Sequence, residues 1–360
     1  MTRGTLKRLG ILLEIFWKHG QYGLWTLWFF VAPGFYLFTR FFMWLDTIVF
    51  PELNYIEVDK PVFIMGHPRS GTTFFQQQIH QSGKVASFTT WEIFFPSLIQ
   101  RRLFMPLIYL LKVFGIDVLQ EKEQGHEIRL AGVEEDEALF LHRLDTEMVT
   151  IFCPWLLTDD DYMEVGFQLG WTDEQENRRS LRFYEECLKR QIYHTRKRQI
   201  VAKCNPSIFR LNQLINQFPD AQVVYIVRSP QKSVRSFLAF TNRFVSPLLS
   251  EEEQDVFFRR KYKWSVQLYH YFEEVKGEIP EDQLLIIPFR EIAGESTLAL
   301  KRFYDFTGIS PSAEYWKQYQ EDSNGEHDKQ HTNEPLEQFG VSSEEVEEDL
   351  GFVWKKYLRS

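Results

Sequence analysis

Beyond residue 60, short apolar runs alternate with longer stretches of helical periodicity. The runs predict four strands, at 62–65, 199–203, 222–227 and 283–289. The intervening stretches predict helices at 72–82, 92–114, 127–143, 176–196, 207–218, 231–241, 251–277 and 295–307. Buried strands that alternate with helices are typical of a parallel sheet with helices on both faces. The sequence therefore predicts an α/β fold.

The first fifty residues follow a different pattern. Residues 1–20 are basic, and their apolar positions recur at the spacing of an amphipathic helix. In residues 22–50, 12 of the 29 side chains are aromatic, and Pro33 interrupts the apolar run. A spanning helix needs about 20 apolar residues, so this segment is borderline and broken. Three interpretations stay open: a helical pair packed on the rest of the protein, a helix lying at a membrane surface, and a true span.

Beyond residue 58, the chain is best described as one large domain. We expect an N-terminal helical segment at 1–58 and a single domain at 59–360. Residues 114–175 contain no strand of comparable quality and predict a helical insert that could wall a binding site. The polar stretch 320–335 predicts a lid loop, since long structureless loops in compact domains are often functional.

Composition excludes several classes of function. The net charge of −9 argues against general nucleic-acid binding, which relies on clustered Lys and Arg. Three cysteines without a Cys-x-x-Cys pair are typical of reduced, buried thiols and predict a cytoplasmic location, with contact to a membrane surface left open. His327 and His331 are spaced i, i+4 but lack the His-Glu-x-x-His signature, so no metal site is predicted.

The stretch FIMGHPRSGTTFF at 63–75 has the form of a phosphate-binding loop. The spacing from Gly66 to Gly71, after a strand and before a helix, is that of a P-loop, whose backbone N–H groups face an anion. Nucleotide-hydrolysing P-loops carry Lys where this chain has Thr72. Arg69 lies within the turn and offers a bidentate fork to an oxyanion. The predicted sheet is therefore P-loop-like, but the ligand is one that needs no P-loop lysine.

A second anion-binding motif follows the third predicted strand. In FPDAQVVYIVRSPQKSVRSF at 218–237, Arg228 ends the strand and Ser236 follows eight residues later on a helix. A second anion, remote from the first, needs its own charge and hydrogen-bond donors near a helix N-terminus. Arg235 is either a further phosphate partner or an exposed helix residue.

Together the two motifs resemble those of sulfotransferases that use 3′-phosphoadenosine 5′-phosphosulfate (PAPS) as donor. The Pro-Arg-Ser-Gly-Thr-Thr form is similar to that of tyrosylprotein sulfotransferases and their bacterial relatives, and the resemblance covers about residues 60–310. It implies a site for the 5′-phosphosulfate at Arg69, Ser70, Gly71, Thr72 and Thr73, and a site for the 3′-phosphate at Arg228 and Ser236. Many members have Asp where this chain has Ser229.

The same resemblance implies the catalytic residues. It places the base for the acceptor hydroxyl at Glu92, in TTWEIFFPS, and a lysine that stabilises the leaving oxygen at Lys203, with Arg69 assisting. Aromatic neighbours are expected to raise the pKa of Glu92 by desolvation. Glu92 is alternatively a carboxylate that stabilises a helix start, and the acidic run 134–137 is an alternative source of the base. His67 and His80 are weaker candidates.

These features predict transfer of a sulfuryl group to a hydroxyl, which requires positioning, a base and positive charge near the leaving group, and no metal. The aromatic N-terminal segment favours a lipid or other amphiphilic acceptor; a carbohydrate or a small metabolite remains open. Lys329 and His331 of the lid loop are candidates to close over the donor. The rival interpretations are a P-loop kinase or nucleotide hydrolase, and a non-catalytic membrane-attached nucleotide-binding adaptor. The sequence does not indicate an oligomeric state.

Overall fold

A four-stranded parallel sheet forms the centre of the protein. The structure, a computed structural model, describes residues 1–114, 132–167, 174–294, 296–323 and 334–358. Its strands are β1 (Val62–Gly66), β2 (Val201–Lys203), β3 (Gln222–Val227) and β4 (Leu284–Pro288), in the order β2-β1-β3-β4. In register, Phe63 of β1 lies between Ala202 and Val223, and Val224 of β3 faces Leu285. The four predicted strands and the α/β class are confirmed.

The two faces of the sheet support separate apolar cores, because successive side chains of a strand point to opposite sides. Phe63 and Met65 of β1, with Tyr225 of β3, belong to the larger core. Ile64 and Ile226 belong to the second core on the other face. Both cores are completed by helices, as the continuous apolar strands predict.

Sixteen α-helices occur in the residues that the structure describes. They are α1 (Arg3–Lys18), α2 (Tyr22–Val49), α3 (Thr72–Gln81), α4 (Thr90–Phe94), α5 (Leu98–Val113), α6 (Val149–Phe152), α7 (Trp155–Thr158), α8 (Met163–Phe167), α9 (Glu174–Thr195), α10 (Leu211–Gln217), α11 (Pro230–Val245), α12 (Glu251–Val275), α13 (Phe289–Ala293), α14 (Ser296–Thr307), α15 (Ala313–Ser323) and α16 (Ser343–Val353). Short 3₁₀ segments lie at Pro51–Tyr55, Asp136–Arg143, Pro206–Arg210, Lys276–Glu278, Glu281–Gln283 and Leu336–Phe339, and one π turn at Trp354–Leu358.

Two predicted helices differ from the observed elements. The stretch 92–114 is two helices, α4 and α5, because the chain turns at 95–97, where Pro96 cannot continue a helical hydrogen-bond ladder. Of the stretch 127–143, the described part forms a 3₁₀ segment at Asp136–Arg143. The other predicted helices are confirmed to within a few residues.

The N-terminal segment is a helical pair that packs on the larger core. Leu12 and Phe16 of α1 are buried there, and on α2 the buried residues are Tyr36, Thr39, Met43 and Asp46. The predicted break at Pro33 is wrong, because α2 continues through it. A proline leaves the carbonyl four residues earlier without its partner, and here that residue, Phe29, is exposed.

Helix α2 also has the length and composition of a membrane-crossing helix, although no membrane accompanies the structure. Of an 18-residue apolar stretch within this helix, only 17% is buried in the protein. The division of the chain at residue 58 stays a prediction, as does contact with a membrane.

The predicted insert is helical where it is described. Residues 132–167 contain a 3₁₀ segment and three short helices, with residues 132–134 lying beside the chain at 88–90 through an isolated bridge from Thr89 to Val133. Of the predicted lid loop, residues 324–333 lie outside the described residues, as do its candidates Lys329 and His331.

Candidate active site

The loop between β1 and α3 folds tightly against the neighbouring strand. A side chain at Gly66 would lie 2.5 Å from the carbonyl oxygen of Ile226 on β3, so that only glycine fits there. Gly71 caps α3 with a φ of 95°, and a Cβ on it would meet the ring of Phe289 at 2.5 Å. Arg69 also has a positive φ, of 69°. The two glycines required by the sequence motif therefore have separate steric reasons.

The predicted phosphate loop and two predicted site residues, Lys203 and Arg228, lie at the same edge of the sheet. Parallel strands end together, and β1 passes directly into the loop while Lys203 ends β2 and Arg228 follows β3. Ligands of open parallel sheets bind at this carboxyl edge. The fold thus brings Lys203 and Arg228 to a loop from which they are separated by 130 and 159 residues of sequence, counted to Thr73 and Arg69.

Hydrogen bonds connect the two predicted phosphate motifs directly. The Nε of Arg69 donates to the Oγ of Ser236 at 3.1 Å, and the guanidinium of Arg228 donates to the carbonyl oxygen of Arg69 at 2.7 Å. The Arg228 guanidinium also lies over the ring of Phe289, 4.6 Å from its centroid. Phe289 therefore packs against both motifs.

The site concentrates positive charge in a largely buried position. Burial, followed by repulsion from Arg228 and Arg243, lowers the pKa of Arg69 to about 10. Burial and the neighbouring Arg235 lower the pKa of Arg228. A bound anion would relieve this repulsion, since an opposite charge favours the ionised form of each guanidinium. Arg235 thus adds to the positive field.

An unsatisfied hydroxyl adds to the case for an anion. Ser70 is fully buried, and its Oγ has no hydrogen-bond partner. Buried polar atoms are normally paired, so an orphan in a phosphate-type loop suits an incoming acceptor. The Nε of Arg228 is likewise buried and unpaired. The residues present therefore fit an anionic phosphate or phosphosulfate.

The two threonines of the loop are connected to β2. The Nζ of Lys203 donates to the Oγ1 of Thr73 at 2.5 Å, and the side-chain amide of Asn205 donates to the Oγ1 of Thr72 at 3.2 Å. Lys203 is 2% exposed. These contacts place the lysine ammonium beside the first turn of α3, where the loop would hold its anion.

The acidic run divides into two pairs with different surroundings. The Oε2 of Glu135 lies 3.4 Å from the Nζ of Lys203, and its Oε1 accepts a hydrogen bond from the N–H of Asn205 at 3.0 Å. Glu134 is within electrostatic reach of both Lys203 and Arg69, and burial raises its pKa.

The other two acidic residues point into the protein. Asp136 accepts from the backbone N–H of Lys203 at 2.9 Å, and Glu137 accepts from the hydroxyl of Ser207. Both are fully buried, and burial raises the pKa of Glu137 to about 7. They fix the strand end, whereas Glu135 pairs with the ammonium of Lys203 and Glu134 interacts electrostatically with Lys203 and Arg69.

Glu92 is held by its own helix. Its Oε2 accepts from the N–H and hydroxyl of Thr89, at 2.9 and 2.8 Å, in a capping box at the start of α4. Its Oε1 lies 3.3 Å from His194 and 3.8 Å from Arg101. Burial would raise the pKa, but His194, Arg101 and Thr89 outweigh it and lower the pKa to about 2. The expected upward shift is wrong, because partners rather than aromatic desolvation dominate.

The two candidate histidines, His67 and His80, lie in the loop and in the helix that follows it. His67 is fully buried, stacks on Tyr269 and donates through Nδ1 to the carbonyl oxygen of Pro68 at 2.7 Å. Burial lowers the pKa of His67 to about 3, so the ring is neutral. His80 lies in the last turn of α3. Among the described residues, no group of three or more His, Cys, Asp or Glu side chains could hold a metal ion.

Comparison with known proteins decides the family. A model described as "Sulfotransferase family" matches residues 61–313. The chain belongs to the Sulfotransferase family. The match spans most of the chain and nearly coincides with the stretch whose motifs resemble sulfotransferases, so that resemblance is confirmed.

The curated relatives that this chain matches have low sequence identity to it. The chain is 22% identical over 259 residues to proteins named omega-hydroxy-beta-dihydromenaquinone-9 sulfotransferase Stf3 from Mycobacterium bovis and Mycobacterium tuberculosis. The aligned region covers 70% of this chain and 63% of those relatives.

Solved structures of mycobacterial sulfotransferases share the fold. Sulfotransferase STF1 from Mycobacterium tuberculosis superimposes with a TM-score of 0.68 at 14% identity, covering 97% of this chain and 92% of that one. Sulfotransferase STF9 from Mycobacterium avium gives a TM-score of 0.69 at 15% identity, covering 88% and 81%. At such identities the likeness extends to the fold alone.

The site of this sulfotransferase-family chain includes residues that the sequence motifs did not indicate. Asn205 donates to Thr72, and Phe289 packs on Gly71 and Arg228. Their position in the chain is the one signal that could have found both: Asn205 lies two residues after the end of β2, and Phe289 directly follows β4, at the carboxyl edge of the sheet.

Proposed function

We propose that this protein transfers a sulfuryl group from PAPS to a hydroxyl of an acceptor. The observation that carries the proposal is the direct link between the two phosphate motifs, in which Arg69 bonds Ser236 and Arg228 bonds Arg69. A donor with an anion at each end would be held by both motifs at once. When bound, PAPS supplies a sulfuryl group attached to a bisphosphate leaving group.

The residues divide into two holding sets. The 5′ end of the donor would be bound by the loop and the start of α3, through the residues Arg69, Ser70, Gly71, Thr72 and Thr73. The 3′-phosphate would be bound by Arg228 and Ser236. Two observations support this division. The guanidinium groups of Arg69 and Arg228 repel each other, which a bound anion would relieve, and the buried hydroxyl of Ser70 has no hydrogen-bond partner until a ligand supplies an acceptor.

Lys203 and Arg69 stabilise negative charge as it develops on the leaving oxygen. Lys203 is suited to this role because its ammonium is nearly buried and lies against Thr73, so it acts in a poorly screened environment. Glu135 holds that ammonium in place through their 3.4 Å ion pair.

For the base that accepts the proton of the acceptor hydroxyl, we favour Glu134 over Glu92. A general base works best when its pKa approaches the working pH, and burial raises the pKa of Glu134 while the partners of Glu92 lower that of Glu92. The charges of Lys203 and Arg69 also act on the Glu134 carboxylate, whereas the Oε2 of Glu92 is already engaged by the N–H and hydroxyl of Thr89. Glu92 stays the alternative base and supports the start of α4 in either case.

The acceptor is proposed to be a lipid or another amphiphilic alcohol. Two observations support this class: the named activity of the curated relatives, whose substrate is a hydroxylated menaquinone, and the exposed aromatic side chains of the N-terminal helices. Such an acceptor would be reached in the cytoplasm at the surface of a membrane, through contacts made by residues 1–50.

The donor site is tested by calorimetric titration with 3′-phosphoadenosine 5′-phosphate in EDTA, beside a titration with magnesium-ATP. Metal-independent binding of the bisphosphate is expected, with a loss of about tenfold or more in Arg228→Ala, since charge-assisted hydrogen bonds contribute about 1.5–3 kcal/mol. Arg178→Ala, an exposed arginine on α9, is the matched control and should bind normally. Preference for magnesium-ATP would instead support a kinase or nucleotide hydrolase. Binding without any transfer to hydroxylated lipids, carbohydrates or small alcohols would support the adaptor.

A further inference from the structure

Helix α2 has two opposite apolar faces. Its inner face, with Trp28, Tyr36 and Met43, packs against the core. The opposite face repeats at the same helical spacing and exposes Phe30 at 67% and Trp44 at 58%. The outward face of a surface helix is ordinarily polar. The outer face of α2 is therefore built to contact something other than water.

Helix α5 extends this surface. It runs antiparallel to α2. Asp46 near the end of α2 accepts the N–H groups of Leu98 and Ile99 at the start of α5, at 2.9 and 3.0 Å, and the ring of Phe38, earlier on α2, lies 6.4 Å from that of Phe104, further along α5. Along α5, Tyr109 is 66% exposed and Val113 is 59% exposed. We call the exposed apolar side chains of α2 and α5 the hairpin face.

Within α2 and α5, both of which the structure describes, no acidic side chain is exposed. Asp46 is the one acidic residue in the sequences of α2 and α5, and it is fully buried against Arg190. Beside the hairpin face, Arg102 and Arg196 line a cleft of about 220 Å³. Their guanidinium groups are held over aromatic rings, 4.5 and 4.2 Å from the centroids of Phe50 and Tyr193.

Charge decides between two occupants of this face. A second copy related by a two-fold axis would set the same patch against itself, so the basic rim would meet its own positive charge. An anionic lipid surface offers the complementary charge, and it attracts basic residues that lie near it. Tyr109 and Trp44 are of the residue types enriched at membrane interfaces.

We propose that the hairpin face docks this protein on an anionic lipid surface. The apolar side chains of α2 and α5 enter the boundary between headgroups and acyl chains, and Arg102 and Arg196 bind lipid phosphates. Helix α2 lies in the plane of the surface and does not cross it, because its inner face is packed on the protein along most of its length. The inference extends the membrane contact of the proposed function but is tested separately from the donor site.

The test is flotation of the full chain with vesicles of phosphatidylcholine alone or mixed with phosphatidylglycerol. Binding is expected to favour the anionic vesicles and to weaken about tenfold in Phe41→Gln/Trp44→Gln, which removes two exposed apolar groups. Val256→Gln/Leu298→Gln, two exposed apolar residues on α12 and α14, is the matched control and should bind like the wild type. Arg102→Ala/Arg196→Ala should lose the preference for anionic vesicles, and added salt should weaken wild-type binding.

Two results would overturn the proposal. One is equal vesicle binding by the wild type and Phe41→Gln/Trp44→Gln. The other is a dimer, measured by light scattering, that this variant dissociates while neither protein binds vesicles; the hairpin face would then be an interface between copies. Titration with 3′-phosphoadenosine 5′-phosphate, which should be unchanged in the variant, distinguishes loss of docking from misfolding and from failure of the donor site.

Discussion

The side chain of Arg69 donates a hydrogen bond to Ser236 across 167 residues of sequence, at 3.1 Å. This contact fixes the loop after β1 relative to the helix after β3. The two motifs therefore form one site. In that site, Arg69 connects the groups proposed to bind the two ends of the ligand.

We expect Ser236→Ala to weaken binding of 3′-phosphoadenosine 5′-phosphate about fivefold. The substitution removes a donor to the ligand and leaves the largely buried Nε of Arg69 without its partner, and a net hydrogen bond contributes about 1 kcal/mol. Calorimetry measures the effect. Ser246→Ala, at the end of the same helix, is the control and should leave the Kd unchanged. Equal affinities for the two variants would mean that Ser236 does not take part in donor binding.

We expect Glu134→Gln to lower kcat by about 100-fold or more while leaving the Kd of the bisphosphate unchanged, as loss of a general base would. Glu134 must be deprotonated to act. Burial raises its pKa above the ordinary value of 4.5, so wild-type kcat should fall as the pH falls through that raised pKa. The acidic fall should be absent in the variant.

Glu92→Gln provides the comparison for that experiment. If it abolishes turnover while Glu134→Gln retains it, Glu92 is the base and our preference is wrong. Glu135→Gln should have an intermediate effect on kcat, since Lys203 would lose the partner that positions it.

Glu92 should make stability depend on pH in a defined window. Its carboxylate has a pKa of about 2 in the folded protein and an ordinary value of 4.5. Because folding lowers this pKa, the ionised carboxylate increases the free energy of unfolding. The full increase, about 3 kcal/mol, is present above pH 4.5 and is lost as the pH falls towards 2. Thermal midpoints should therefore fall less steeply below pH 4.5 in Glu92→Gln than in the wild type. Glu174→Gln, which changes an exposed carboxylate, should follow the wild-type curve.

The sheet could be predicted because its strands are buried on both faces and appear in the sequence as short continuous apolar runs. The phosphate loops could be predicted because each has a local pattern of Gly, Arg and hydroxyl residues. Membership of the Sulfotransferase family followed from Arg69 and Arg228 taken together with their neighbours, and the family match confirms it.

The base could not be settled from sequence, because its pKa depends on partners that are distant in the chain. Glu92 lies in an aromatic stretch that suggested desolvation, but the fold adds His194 and Arg101. Glu134 lies in an acidic run whose pattern suggests a solvated position. In the fold, residues 132–134 lie beside residues 88–90, and the charge of Lys203 acts on Glu134. Local pattern gives the residue types, whereas the tertiary contacts assign their charge states.

We expect Gly71→Ala to weaken binding of the bisphosphate about tenfold and to destabilise the fold by more than Gly83→Ala does. Both glycines have positive φ, of 95° and 68°, so each substitution imposes backbone strain of about 1 kcal/mol. A Cβ at Gly83 meets nothing within 4 Å, whereas one at Gly71 meets Phe289 at 2.5 Å. Thermal midpoints and calorimetry of the two variants therefore separate strain from the clash.

Removing the ring from Gly71→Ala should restore part of the lost stability. In a double-mutant cycle, Gly71→Ala/Phe289→Ala should be less destabilised than the sum of the single changes, because the clash disappears with the ring. Bisphosphate binding should not recover to the same extent, since Phe289 also supports the guanidinium of Arg228 at 4.6 Å. Additive losses of stability would show that the ring moves aside freely and that the requirement for glycine at residue 71 comes from the backbone alone.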